Sequence, residues 1–133
     1  MYLLDTNALS EPLKRSPSPK FMSQLEAVRQ ERLFTSAITV MELRYGCARH
    51  AQGAKLWQRI EREIINRMEV LPVDYPVAER AGDLLAAVHH RGRPRSTEDL
   101  LIAATGLIHG LIVITHNTRH FIDVPGLRVE DWV

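Results

Sequence analysis

Short apolar runs alternate with longer stretches of helical periodicity along the chain. Met1-Tyr2-Leu3-Leu4 is the first run, and a brief uninterrupted apolar segment reads as a buried strand. Asp5 ends it, and a helix is expected over residues 7–14. Ser16-Pro17-Ser18-Pro19 breaks the pattern before a second helix near 20–31, where Phe21, Leu25 and Val28 recur at helical spacing. Leu33-Phe34-Thr35 predicts a second strand. Ser36 has the character of an N-cap, with a helix running to about His50. Residues 52–67 are amphipathic, with Trp57, Ile60, Ile64 and Met68 on one stripe. A third strand is expected over 68–73, then a helix over 77–90 whose apolar positions are Ala81, Leu84, Leu85 and Val88. Residues 91–95 are a loop by composition. A helix follows over 97–109, with Gly110 as its stop. Residues 100–107 are apolar nearly all round, which predicts deep burial. Residues 111–115 form a fourth strand and 127–129 a short fifth.

Strands that alternate with helices predict a parallel sheet covered on both faces, a doubly wound three-layer α/β/α domain. A length of 133 residues suits one domain with a real core, expected to span 1–133. Hydrophobic content of 45% and charged content of 25% are ordinary for a globular protein. No apolar run is long enough for a transmembrane helix, and no basic region precedes the first apolar run as in a signal peptide. Cys47 is alone, which excludes an intrachain disulfide and fits a reducing, cytoplasmic compartment. The net charge of +1 decides little, but arginine is favoured over lysine, a bias that suits phosphate recognition.

Candidate chemistry begins with Asp5. A carboxylate just past a strand lies at the sheet edge where open α/β folds bind ligands. Helix capping explains the same residue equally well. Glu42 lies inside the helix after Ser36, with Gly46 four residues on and Met41, Leu43 and Tyr45 around it. A solvated surface glutamate is the simple reading; the apolar neighbours favour a cleft. Asp99 completes Ser96-Thr97-Glu98-Asp99, a capping-box pattern at the start of an apolar helix. In a right-handed doubly wound sheet the three acids can gather at one edge. Clustered carboxylates repel unless a cation sits among them, and Mg²⁺ or Mn²⁺ prefers such hard oxygen ligands. Thr6, Asn7, Thr115 and Asn117 border the same strand ends, where turn and cap chemistry also accounts for them.

Four segments carry a resemblance: Leu4-Asp5-Thr6-Asn7, Ser36 to Gly46, Glu98 to Ala104, and Thr115-His116-Asn117-Thr118-Arg119-His120-Phe121. In this order and across nearly the whole chain they resemble the PIN-domain nucleases, within them the VapC-type toxins and especially the FitB-like branch. The resemblance implies a PIN-like α/β/α fold with a parallel sheet of four to five strands. It also implies an Mg²⁺- or Mn²⁺-dependent endoribonuclease and a homodimer. The partner implied is a small antitoxin with a DNA-binding N-terminal part, in a heterotetramer or larger assembly. Asp5, Glu42 and Asp99 match the family's acidic ligands, with Asp5 and Asp99 as main ligands and Glu42 completing the shell or orienting water. Thr6 and Asn7 would support Asp5, and Thr115 the pocket. The implied reaction is in-line attack of a metal-activated water on RNA, leaving 5′-phosphate and 3′-hydroxyl ends.

Asn117 departs from the family, which often has a fourth acid there; an amide would hold a second metal more weakly. Asp123 is close by in sequence without a pattern that makes it a substitute. Arg91, Arg93 and Arg95 could contact RNA phosphates, while an exposed loop is the simpler account. His116 and His120 read as structural or RNA-facing. An aspartyl phosphatase would need an acid where Asn7 stands, and a receiver domain would need a lysine later than Lys55. The rival from another class is a catalytically degenerate PIN-fold protein that acts only by binding a partner or nucleic acid.

Overall fold

A computed structural model describes residues 1–90, 92 and 95–133. The strands are β1 (Tyr2–Leu4), β2 (Leu33–Ser36), β3 (Glu69–Leu71), β4 (Ile112–Ile114) and β5 (Val129–Glu130). The helices are α1 (Thr6–Ser10), α2 (Pro19–Ala27), α3 (Ala37–Ala48), α4 (Gly53–Glu63), α5 (Tyr75–His90) and α6 (Thr97–His109). The sheet runs β3-β2-β1-β4-β5, and every pairing is parallel. This is the expected three-layer α/β/α arrangement.

Successive strand residues point to opposite faces, so each strand feeds two cores. Leu3 and Val113 face α5 and α6, together with Leu84, Val88 and Ile102. Leu4, Ile112 and Ile114 face the other way, toward Leu9, Phe21 and Ile60 from α1, α2 and α4. From Leu100 to Gly106, α6 is buried at every position except Leu101, as its all-round apolarity predicts. Its Gly106 lets the helix approach the sheet: a Cβ there would come within 3.1 Å of Leu127 and Val113 side chains. Gly110 ends α6 with φ of 65°, the left-handed cap for which glycine carries no Cβ penalty.

The element boundaries differ from expectation for local reasons. The first helix stops at Ser10 and continues as a 3-10 turn over Glu11–Leu13, because Pro12 has no N–H to extend the α-helical ladder. The second stops at Ala27, with Val28 extended, and only a turn at Gln30–Arg32 follows. The fourth breaks at Ile64, so Met68 lies beyond the helix whose stripe it was expected to extend. In α5 the start moves back to Tyr75. Asp74 accepts from Val77 N at 3.2 Å, and Pro76 sits in the first turn, where its missing N–H costs nothing. The third strand ends at Leu71, before Pro72, and the fifth is shifted to Val129–Glu130.

Candidate active site at the carboxyl ends of β1 and β4

Chain order reverses across β1: β2 and β3 lie to one side, β4 and β5 to the other. The crevice at the carboxyl ends of β1 and β4 is therefore the switch point where such sheets take ligands. Asp5 stands at its floor, only 5% exposed, with its N–H still bonded to Ile114 O at 3.1 Å. Its carboxylate accepts from Ala8 N at 3.0 Å and so caps α1. Burial pushes this carboxyl up from an ordinary 3.8 to about 6, against the lowering effect of the Thr115 hydroxyl, the Ala8 N–H and His116. The charge of Asp99 raises it further.

The floor is held by buried polar links between strands. Thr35 Oγ1 donates to Leu4 O at 2.8 Å, tying β2 to β1. Asn7 Oδ1 accepts from His116 N at 2.9 Å and from Thr115 Oγ1 at 3.5 Å, tying the end of β1 to the end of β4. Thr115 Oγ1 accepts in turn from Asn117 N at 2.9 Å. Thr115 is wholly buried and backs the cavity rather than lining it.

Two helix starts bring in the other acids. Ser36 caps α3 by accepting from Thr39 N at 3.1 Å, which places Glu42 on the turn beside Thr6. Thr6 Oγ1 donates to Glu42 Oε1 at 2.5 Å, so Thr6 serves Glu42 and not Asp5. Ser96 caps α6 through Asp99 N at 3.1 Å. The Asp99 carboxylate is left to meet His120 Nδ1 at 3.1 Å. Ser96→Ala is therefore expected to lower stability by about 1 kcal/mol, read by urea denaturation.

Asp5, Thr6, Asn7, Glu42, Asp99 and Asn117 line one cavity of about 480 Å³. Among the described residues no three acidic, histidine or cysteine side chains converge at metal-binding spacing. Carboxylates repel one another, and each here has its own neighbour: Ala8 N donates to Asp5, Thr6 donates to Glu42, and His120 Nδ1 lies 3.1 Å from Asp99.

Arg95 does not join this group. Its Nη2 lies 2.8 Å from Asp123 Oδ2 and donates to Arg119 O at 3.4 Å, and neither Arg95 nor Asp123 lines the cavity. Arg91 and Arg93 lie outside the described residues. His116 is structural as well as cavity-lining: Nδ1 is 3.2 Å from Asp131, Nε2 is 3.5 Å from Glu11, and the ring meets Phe21 edge-on. It links the α1 end to the segment after β5. Sequence reasoning passed over Lys14, which also lines the cavity and pairs with buried Glu11 at 3.2 Å. The only local signal was their i,i+3 spacing.

The sequence profile of the PIN domain family matches residues 2–127. The chain is 34% identical over 131 residues to a tRNA(fMet)-specific endonuclease VapC of Shigella flexneri, covering 98% of this chain and 97% of that protein. It is 37% identical over 137 residues to Toxin FitB of Neisseria gonorrhoeae, covering 99% of each. The crystal structure of DNA-bound VapBC from Salmonella typhimurium superposes with a TM-score of 0.90 at 32% identity, over 99% of this chain and 98% of that one. A match of this extent agrees with the strand order and with the acid at the end of β1, and the chain belongs to the PIN-domain family.

Proposed function

We propose that the chain is a metal-dependent endoribonuclease acting as the toxin of a toxin–antitoxin pair, with residues 1–133 forming one PIN domain. The observation that carries this reading is that Asp5, Glu42 and Asp99, far apart in sequence, line a single cavity. The acids of the cavity fit Mg²⁺ or Mn²⁺: they offer hard carboxylate oxygens, with Asn117, hydroxyls and the His116 and His120 rings beside them and Lys14 also at the wall. Asp5 and Asp99 would be the main ligands and Glu42 would complete the shell. A divalent ion bound there supplies a Lewis acid for the phosphoryl oxygens and lowers the pKa of water. The protein's part is positional. Ala8 N–H steadies Asp5, and Thr6 steers Glu42. Asn7 locks the β1 and β4 ends at one spacing.

The relatives named as an endonuclease and as a toxin support the reading of RNA as substrate. A second feature suits the antitoxin. An apolar groove of about 490 Å³, walled by Leu9, Leu13, Met22, Leu25, Ile64 and Met68, opens beside α1, α2 and α4 and shares no residue with the acidic cavity. A small partner that covers apolar surface there could extend a basic side chain toward the acids. A homodimer, and a heterotetramer or larger assembly with the antitoxin, complete the proposal. The place of action would be the cytoplasm. No described helix is long and apolar enough to cross a membrane.

The test uses purified, antitoxin-free protein and structured RNAs, with Mg²⁺ or with EDTA, beside Asp5→Asn. Cleavage is expected only for the unaltered protein with metal, leaving 5′-phosphate and 3′-hydroxyl ends. Equal decay in every lane, or none in any, would overturn the enzyme reading in favour of a PIN fold that only binds.

A further inference from the structure

The acid on α6 has a partner that the proposed chemistry does not yet use. We propose that His120 is a positioning residue for Asp99: its imidazole Nδ1–H donates to Asp99 Oδ2 and holds that carboxylate in the orientation in which it meets a divalent ion. The inference rests on the metal-nuclease reading above and adds to it a residue that none of the three acids' own elements supplies.

The geometry is specific. Nδ1 and Oδ2 are 3.1 Å apart, a histidine–carboxylate contact within hydrogen-bond reach, and both side chains line the cavity. Asp99 is 24% exposed and His120 49%, so the pair sits at the cavity rim with the carboxylate on the inner side. A carboxylate is acceptor-only when ionised, and so it selects the Nδ1–H form of a neutral ring. An aspartate in the first turn of a helix can otherwise turn about two side-chain bonds. One fixed donor removes that freedom, which is how partners behind a metal ligand act on affinity.

The donor itself is held from three directions. His120 N bonds to Asn117 O at 3.0 Å, and Phe121 N to Thr118 O at 3.0 Å, closing a tight turn over Thr118–His120. Phe121, the next residue, is 1% exposed and anchors that turn in the α5/α6 core. The Arg95–Asp123 ion pair at 2.8 Å, with Arg95 also reaching Arg119 O, ties the segment before α6 to the segment after β4 beside the contact. The segment leading into α6 and the segment carrying His120 are thus braced together on either side of the Asp99–His120 contact.

The test compares the unaltered full chain with Asp99→Asn, His120→Ala and His120→Asn. It measures Mn²⁺ binding by titration calorimetry and RNA cleavage as kcat and KM. Asparagine offers a side-chain N–H near the place of Nδ1. His120→Ala is expected to weaken Mn²⁺ binding about tenfold and to lower kcat similarly with KM for RNA little changed, whereas His120→Asn stays within about threefold of the unaltered chain. A His120→Ala protein indistinguishable from the unaltered one, or a His120→Asn protein as impaired as the alanine variant, would overturn the inference. Asp99→Asn separates the two levels of argument. If it binds Mn²⁺ and cleaves RNA normally, the metal-site reading fails; if it is inactive while His120→Ala is normal, only the role of His120 fails. A measurement free of any folding defect in a His120 variant uses the unaltered chain. At pH 8 the ring ¹⁵N spectrum is expected to show His120 protonated at Nδ1, and protonation at Nε2 would overturn the proposal.

Discussion

Asp5→Asn is expected to cut RNA cleavage about a thousandfold while making the metal-free protein more stable at neutral pH. The loss follows from the removal of one charged ligand at the cavity floor. A metal ion contributes several kcal/mol of transition-state stabilisation, and each 1.36 kcal/mol is tenfold in rate. The gain follows from burial. Asp5 is 5% exposed, and its carboxyl is pushed up from 3.8 to about 6. Between these values the folded state binds more protons than the unfolded state, so stability falls as pH rises. Above about pH 6 the full cost is present, on the order of 3 kcal/mol. At pH 4 the cost is largely absent. An asparagine keeps Oδ1 as acceptor for Ala8 N, so the cap survives and the charge penalty does not.

Urea denaturation in EDTA at pH 4 and pH 7.5 checks this. Asp5→Asn should gain stability at the higher pH and gain little at the lower. Saturating Mn²⁺ should then close the gap. At a hundred times its dissociation constant an ion stabilises the unaltered protein by about 2.7 kcal/mol and the variant by much less. Cleavage by Asp5→Asn within tenfold of the unaltered protein would remove Asp5 from the site.

Asp99→Ala is expected to lose cleavage by about two to three orders of magnitude while folding and antitoxin binding persist. The structure separates two roles that a first-turn acid could combine. Ser96 Oγ accepts from the Asp99 N–H, a backbone group that alanine retains, so the cap of α6 is unaffected. Among the hydrogen bonds and ion pairs described, the Asp99 side chain has one contact, His120 Nδ1 at 3.1 Å, near the surface. Its removal should therefore shift stability by no more than about 0.5 kcal/mol. The apolar groove on the α1, α2 and α4 side shares no residue with the cavity. Co-purification with the antitoxin and a denaturation curve alongside the RNA assay give the check. Loss of folding together with activity would assign Asp99 a structural role.

The acids illustrate where local pattern was enough and where it was not. Ser36 and Ser96 were recognisable as caps from the residues that follow them, and both caps form with the expected spacing. Asp5 was ambiguous between cap and ligand, and in the structure one oxygen caps α1 while the residue lines the cavity. The resemblance implies that Thr6 supports Asp5; in the structure the helical turn swings its hydroxyl to Glu42. For Arg95 the basic loop leaves a phosphate contact open, with an exposed loop the simpler account; in the structure it pairs with Asp123, whose approach depends on how the segment after β4 folds back. The places of the acids at a strand end and on two helices already point to one sheet edge, and the motif resemblance adds that they match the family's ligands.

Short-range physics was legible in the chain alone. Apolar runs, helical stripes, caps and Gly110 depend on neighbours within a few residues, and they fixed the element types and the layered parallel fold. The places where α1, α2 and α4 stop depend on Pro12, on Val28 turning extended and on the break at Ile64, and were displaced by some residues. What only the tertiary structure decided is which donor each cavity acid takes, and that Lys14, His116 and His120 share the cavity with them. Those contacts join residues distant in sequence, and their strength depends on burial and distance, quantities set when β1 and β4 come side by side with α3 and α6 at their carboxyl ends.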